Sequence, residues 1–149
     1  MAATYPGLFS AGIAYAGVAA GCFYAEADEQ DWWNSTCSTG ESVSTPEHWA
    51  EIAKAMYPDY DGDRPKMQIY HGSQDTTLDT QNYYETCKQW AGVFGYTYDS
   101  PQETQNDTPV ADWDKTIWGP NLQGILANGV THNIQIQGDE DLKWFGFTS

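Results

Sequence analysis

The sequence predicts an α/β fold, a mostly parallel sheet flanked by helices. Three observations point there. Residues 8–20, from Leu8 to Ala20, are small, apolar and almost uncharged, the character of a strand covered on both faces. Lys66-Met67-Gln68-Ile69-Tyr70 reads as a short strand that runs into a glycine turn and then a helical pattern. Ile125-Leu126-Ala127 reads as another strand handing off to a loop, Asn128-Gly129-Val130-Thr131-His132. Strands alternating with helices are the pattern of this class. The 149 residues, 40% hydrophobic, fit one domain with a buried core.

The first strand is expected over Ala11–Gly17. Residues 23–44 leave the core: Glu26, Asp28, Glu29 and Asp31 lead into Trp32-Trp33, and a Ser/Thr/Gly-rich stretch follows. Thr45 then caps a helix with Pro46 in its first position, and His48 sits in the third. Trp49, Ile52, Ala53 and Met56 form its apolar face, and Pro58 stops it. Residues 58–65 are a polar turn region. Its three aspartates around Gly62 lack the spacing of a calcium loop and the closing Glu, so it reads as surface. After the strand at 66–70, Asp79 or Thr80 caps a helix over 79–91 that buries Tyr83, Tyr84, Cys87, Trp90 and Ala91. Residues 95–114 are a second polar excursion. Strands follow at Lys115–Trp118 and Ile125–Ala127. A last helix is expected over Asp139–Phe147, packing through Leu142, Trp144, Phe145 and Phe147.

Charge excludes several classes of partner. Six Lys and Arg stand against 21 Asp and Glu, a net charge of −15, with a pI near 4.1. Nucleic acid is an unsuitable partner, because few cations are on hand to displace its counterions. An anionic membrane surface repels such a chain, and no run approaches the roughly 18 apolar residues of a membrane span. Met1–Thr4 has neither the basic flank nor the apolar core of a signal peptide. Aromatic residues make up 15% of the chain. Such density serves carbohydrate or aryl sites as well as cores, and Trp32, Trp33, Trp113 and Trp118 are candidates for stacking on sugar rings. Asn34-Ser35-Thr36 and Asn106-Asp107-Thr108 fit the glycosylation pattern. Cys22 and Cys37 lie 15 residues apart and make a plausible disulfide around the acidic loop. Cys87 is left over.

Two residues stand where α/β sheets place their chemistry, beyond the carboxyl ends of strands. Asp75 follows the strand at 66–70 through the turn His71-Gly72-Ser73-Gln74, and His132 follows the strand at 125–127. A strand-end acid and a later strand-end histidine are the second and third members of a nucleophile–acid–histidine order. The histidine takes a proton from a serine hydroxyl, and the carboxylate fixes its tautomer and stabilises the imidazolium. Each residue also has a plain reading as a turn former. A metal site from His71, Asp75 and His132 is a further option, without the short ligand spacing such sites favour. No G-x-S-x-G elbow exists, and none of Ser10, Ser35, Ser38, Ser42, Ser44, Ser73, Ser100 and Ser149 falls on a sharp turn between a buried strand and a helix. An acid–base pair is present without a nucleophile to activate.

Several stretches nevertheless resemble a known family. They are Ala2–Phe9, Ala14–Phe23, Arg64–Leu78, Asn82–Glu85, Lys88–Tyr96 and Trp144–Phe147, with the phrase Tyr70-His71-Gly72-Ser73-Gln74-Asp75 the most specific. Together they are similar to the C-terminal part of the fungal acetyl xylan and feruloyl esterases related to polyhydroxybutyrate depolymerase-type esterases. The resemblance implies an α/β-hydrolase core, secretion, no cofactor, and ester hydrolysis on acetylated or feruloylated plant cell-wall xylan. It matches Asp75 to the catalytic acid and His132 to the catalytic histidine. Thr131 stands where the family commonly has Gly. The resemblance also implies that the serine lies upstream of the stretch similar to Met1–Phe9. Residues 1–149 would then be a partial domain without the N-terminal half and nucleophile elbow, inactive and poorly folded alone. A non-catalytic xylan-binding protein is the alternative.

Overall fold

A computed structural model describes residues 1–24 and 33–148. After a 3-10 turn at Pro6–Leu8, the elements are β1 Ala11–Tyr15, α1 Ser35–Ser38, α2 Pro46–Ala55, β2 Lys66–Gly72, α3 Gln81–Phe94, β3 Glu103–Gln105, β4 Trp113–Gly119, β5 Leu122–Ala127 and α4 Gly138–Phe145. Five strands form one sheet in the order β1-β2-β5-β4-β3.

The class is α/β with flanking helices, but the sheet is mixed, which corrects the expectation of a mostly parallel one. The pairs β1–β2 and β2–β5 are parallel, while β3–β4 and β4–β5 are antiparallel. The reason is local. Only Pro120 and Asn121 separate β4 from β5, and a link that short joins strands only as a hairpin. β3 rises from within the polar excursion at 95–114, where no strand is expected, and its residues are largely exposed.

Local signals set the helices that matter. Thr45 caps α2, its side chain accepting from His48 N at 3.2 Å, with Pro46 in the first turn. In the excursion at 33–44, Asn34 caps the short α1 through Cys37 N. α3 covers one face of the sheet, where Met67, Ile69 and Leu122 pack with Tyr83, Cys87, Trp90 and Ala91. α2 lies outside α3. A Cβ at Gly92 would meet the Pro46 carbonyl, so only glycine lets the two helices approach this closely. Glu85 joins them: it is 1% exposed and accepts from Trp49 Nε1 at 2.7 Å and Ser44 N at 3.0 Å. Tyr70, Trp113, Ile125 and Ala127 form the core of the opposite face, under Val130 and Ile134.

α4 differs from its expected packing. Of its four apolar candidates only Trp144 is buried, while Leu142, Phe145 and Phe147 are exposed. Trp144 donates to Gly12 O at 3.1 Å and carries Lys66 over its ring. Cys22 and Cys37 are joined in a disulfide, and Cys87 is free and buried.

Candidate active site

β2 and β5 lie side by side in parallel register, with His71 opposite Leu126 and Gly72 opposite Ala127. Parallel neighbours end on the same side, so the loops that follow emerge together. Ser73 N donates to Ala127 O at 3.0 Å, Gln74 N to Val130 O at 2.9 Å, and Gly129 N to Ser73 Oγ at 2.9 Å. Ser73 is thus engaged in holding the two loops together. Gly72 permits this contact. A Cβ there would meet the backbone oxygens of Val130 and Thr131 well inside 3.0 Å.

These loops bring Asp75 and His132 together. His132 Nδ1 lies 2.8 Å from Asp75 Oδ2. Asp75 is 4% exposed, and its other oxygen accepts from Thr77 N and Leu78 N, each at 2.9 Å. Burial raises the Asp75 pKa, yet the bonds from His132, Leu78 and Thr77 outweigh it and hold the carboxyl below its ordinary value. An ionised carboxylate only accepts, so His132 Nδ1 carries the proton. In the neutral ring that leaves a lone pair on Nε2. Among the described residues nothing hydrogen-bonds to Nε2, and the side chain is 38% exposed. A histidine so held can take a proton from an incoming group and return it.

No protein-family model matches the chain. Acetylxylan esterase A of Emericella nidulans is 80% identical over 149 residues, all of this chain and 49% of that protein. Acetylxylan esterase A of Aspergillus oryzae is 72% identical over the same length, 48% of that protein. Among solved structures, an acetyl xylan esterase from Aspergillus awamori matches with a TM-score of 0.96 and 61% identity, over 99% of this chain and 54% of that one. The chain is homologous throughout to fungal acetylxylan esterases. It spans about half the length of the relatives it matches.

Other candidates settle differently. Among the described residues no cluster of three His, Cys, Asp or Glu side chains is arranged for a metal ion. His71, though near Asp75, points its Nε2 at the Leu78 carbonyl 2.9 Å away, which requires a proton on that nitrogen rather than a lone pair for a metal. This removes the metal reading of His71, Asp75 and His132. Trp113 and Trp118 are each 6% exposed, so neither offers a face to a sugar. Trp33 is exposed and packs edge-on to Phe23; Trp32 lies outside the described residues. Asn106 is exposed, while Asn34 uses both amide atoms, on Cys37 N and Tyr24 O. No helix among the described residues is long and apolar enough to cross a membrane. The Thr77 and Leu78 amides that fix the acid escaped sequence reading, because backbone donors leave no residue signature. The cue available was an Asp two and three residues ahead of them, as in an Asx turn.

Proposed function

We propose that the chain supplies the acid and the histidine of a Ser-Asp-His carboxylic ester hydrolase that removes acetyl groups from xylan. The observation that carries this is the Asp75–His132 pair, with the acid buried and ionised and the histidine's Nε2 open. In this reading His132 takes the proton of a serine hydroxyl as the serine oxygen attacks the ester carbonyl. It returns that proton to the departing sugar oxygen. Water then repeats the sequence on the acyl-serine and releases acetate, while Asp75 stabilises the imidazolium in both halves. The names of the relatives support xylan acetyl esters as substrates, with feruloyl esters the second choice.

The serine belongs to sequence outside these 149 residues, and the chain corresponds to the C-terminal part of the catalytic domain. The whole protein acts outside the cell, a setting that suits the Cys22–Cys37 disulfide. The test is to assay this chain alone and joined to the sequence of the Emericella nidulans relative that it does not cover. The chain alone should release no acetate from acetylated xylan. The joined protein should be active, and His132→Ala should abolish that activity. Full activity in the joined His132→Ala protein would defeat the proposal.

A further inference from the structure

Two histidines face one carboxylate oxygen. His132 Nδ1 lies 2.8 Å from Asp75 Oδ2, and His71 Nε2 lies 3.2 Å from the same atom. Their surroundings differ. The His132 side chain is 38% exposed and that of His71 is fully buried.

The His71 ring has one favourable state. Its Nε2 lies 2.9 Å from the Leu78 carbonyl oxygen. A carbonyl only accepts, so Nε2 holds a proton. Its Nδ1 is buried with no hydrogen-bond partner. A second proton there would create a buried cation with an unpaired donor, at a heavy desolvation cost. The neutral Nε2–H form leaves only a lone pair unpaired. Burial accordingly pushes the His71 pKa below its ordinary value, against the upward pull of the Leu78 carbonyl and Asp75.

The bond to Leu78 links the ring to the acid. Leu78 N donates to Asp75 Oδ1 at 2.9 Å, while Leu78 O accepts a hydrogen bond from His71 Nε2. His71 reaches across the turn that it opens and pins the residue whose amide fixes the carboxylate. Its charge state matters as well. The charged and titratable groups that face it are Asp75 across the turn, His132 from the loop after β5, and Asp79 just before α3. A cationic His71 would neutralise Asp75 and oppose the imidazolium at His132.

We infer that His71 is a positioning residue for the Asp75–His132 pair, a neutral N–H donor that holds the 75–78 turn and leaves the charge of the carboxylate to His132. Its effect on catalysis rests on the esterase reading; its ring state rests on the local geometry.

The test uses the joined protein described above. Ring nitrogen NMR on histidine-labelled protein should find His71 as the neutral Nε2–H tautomer from about pH 8 to about pH 5, the range in which an ordinary histidine becomes charged. His71→Leu should lower kcat by about 10- to 100-fold, the scale of a misplaced catalytic group, with KM unchanged. His71→Gln, whose amide nitrogen can reach the place of Nε2, should recover most of that loss. A proton on Nδ1 in the native protein, or protonation of His71 within that pH range, overturns the inference. So does wild-type kcat in His71→Leu, or a folded His71→Gln as impaired as His71→Leu. If His71→Leu does not fold, the Gln variant and the NMR decide. Failure of the esterase reading shows separately, as full activity in Asp75→Asn and His132→Ala, and the NMR then judges His71 by itself.

Discussion

Replacing Asp75 by Asn changes a single atom and should nearly silence the joined protein. The aspartate presents two acceptors: Oδ1 to Thr77 N and Leu78 N, and Oδ2 to His132 Nδ1. An amide has only one oxygen. If it faces the two backbone donors, its NH2 faces His132, and Nδ1 must accept. The His132 proton then moves to Nε2, where it blocks uptake of another. Turning the amide round restores the tautomer but sets an NH2 against two buried N–H groups. At about 1–3 kcal/mol for each unpaired group, that costs about 2–6 kcal/mol. With a tenfold change for every 1.36 kcal/mol, the useful orientation falls in population by about 30-fold to 3 × 10⁴-fold. The lost stabilisation of imidazolium adds to this. Release of nitrophenolate from 4-nitrophenyl acetate should show kcat reduced by about 10²- to 10⁴-fold with KM little changed. A folded Asp75→Asn protein within tenfold of its parent would refute the reasoning.

Gly72→Ala places a methyl group against the Val130 and Thr131 oxygens and should displace the His132 loop. We expect kcat to fall by about 10²-fold, with unchanged far-ultraviolet circular dichroism. Asp75 and Glu85 both have folded pKa values held below the ordinary range, by hydrogen bonds that outweigh burial. Their stabilising contribution is therefore complete above about pH 5 and is lost as pH falls below about 4 through the folded values; thermal melts across that interval should show Tm level above it and dropping below it. Opening the Cys22–Cys37 link, which closes 15 residues, should cost about 3 kcal/mol in urea unfolding of the Cys22→Ala/Cys37→Ala protein. The chain alone should self-associate at micromolar concentration in light scattering, because β1 pairs with β2 alone among the described strands and Leu8, Phe9 and Phe147 are exposed.

The parts that could be read from sequence were those with local causes. Thr45-Pro46 sets the start of α2 whatever packs on it. The short run Lys66–Tyr70 and the glycine turn after it mark β2 and its end. The β4–β5 hairpin is not legible in the sequence, because its tight turn, Pro120-Asn121, falls within the stretch between the strand signals at 115–118 and 125–127. Its partner β3 is three polar residues whose extended form is imposed by pairing with β4, not by their own propensity. The apolar residues of α4 were identified correctly as apolar, but periodicity does not state which of them meets a neighbour. At the site, Asp75 and His132 were recognisable by position after strands. Their contact was not, since it depends on β2 and β5 being neighbours although 57 residues separate the two side chains. The place of His71 beside Asp75 depends on the turn between them, which brings a residue back on the fourth position without any helix.

The mixed sheet is compatible with the proposed chemistry, which needs β2 and β5 to run the same way, as they do. After β5 the chain does not stay over its own strand. Val130 passes over Gly72 at the end of β2, as the close approach at that glycine and the bond from Gln74 N to Val130 O require. Further on, Gln137 N donates to Tyr15 OH, and Tyr15 OH to Asp141, so the segment has crossed to β1. His132 lies on that crossing, carried from β5 toward the open edge of the sheet. A further strand laid parallel on β1, about 4.8 Å away, would end on the same side of the sheet as β2 and β5. In the proposed triad, a nucleophile at the end of such a strand would stand on the side toward which the His132 loop is carried.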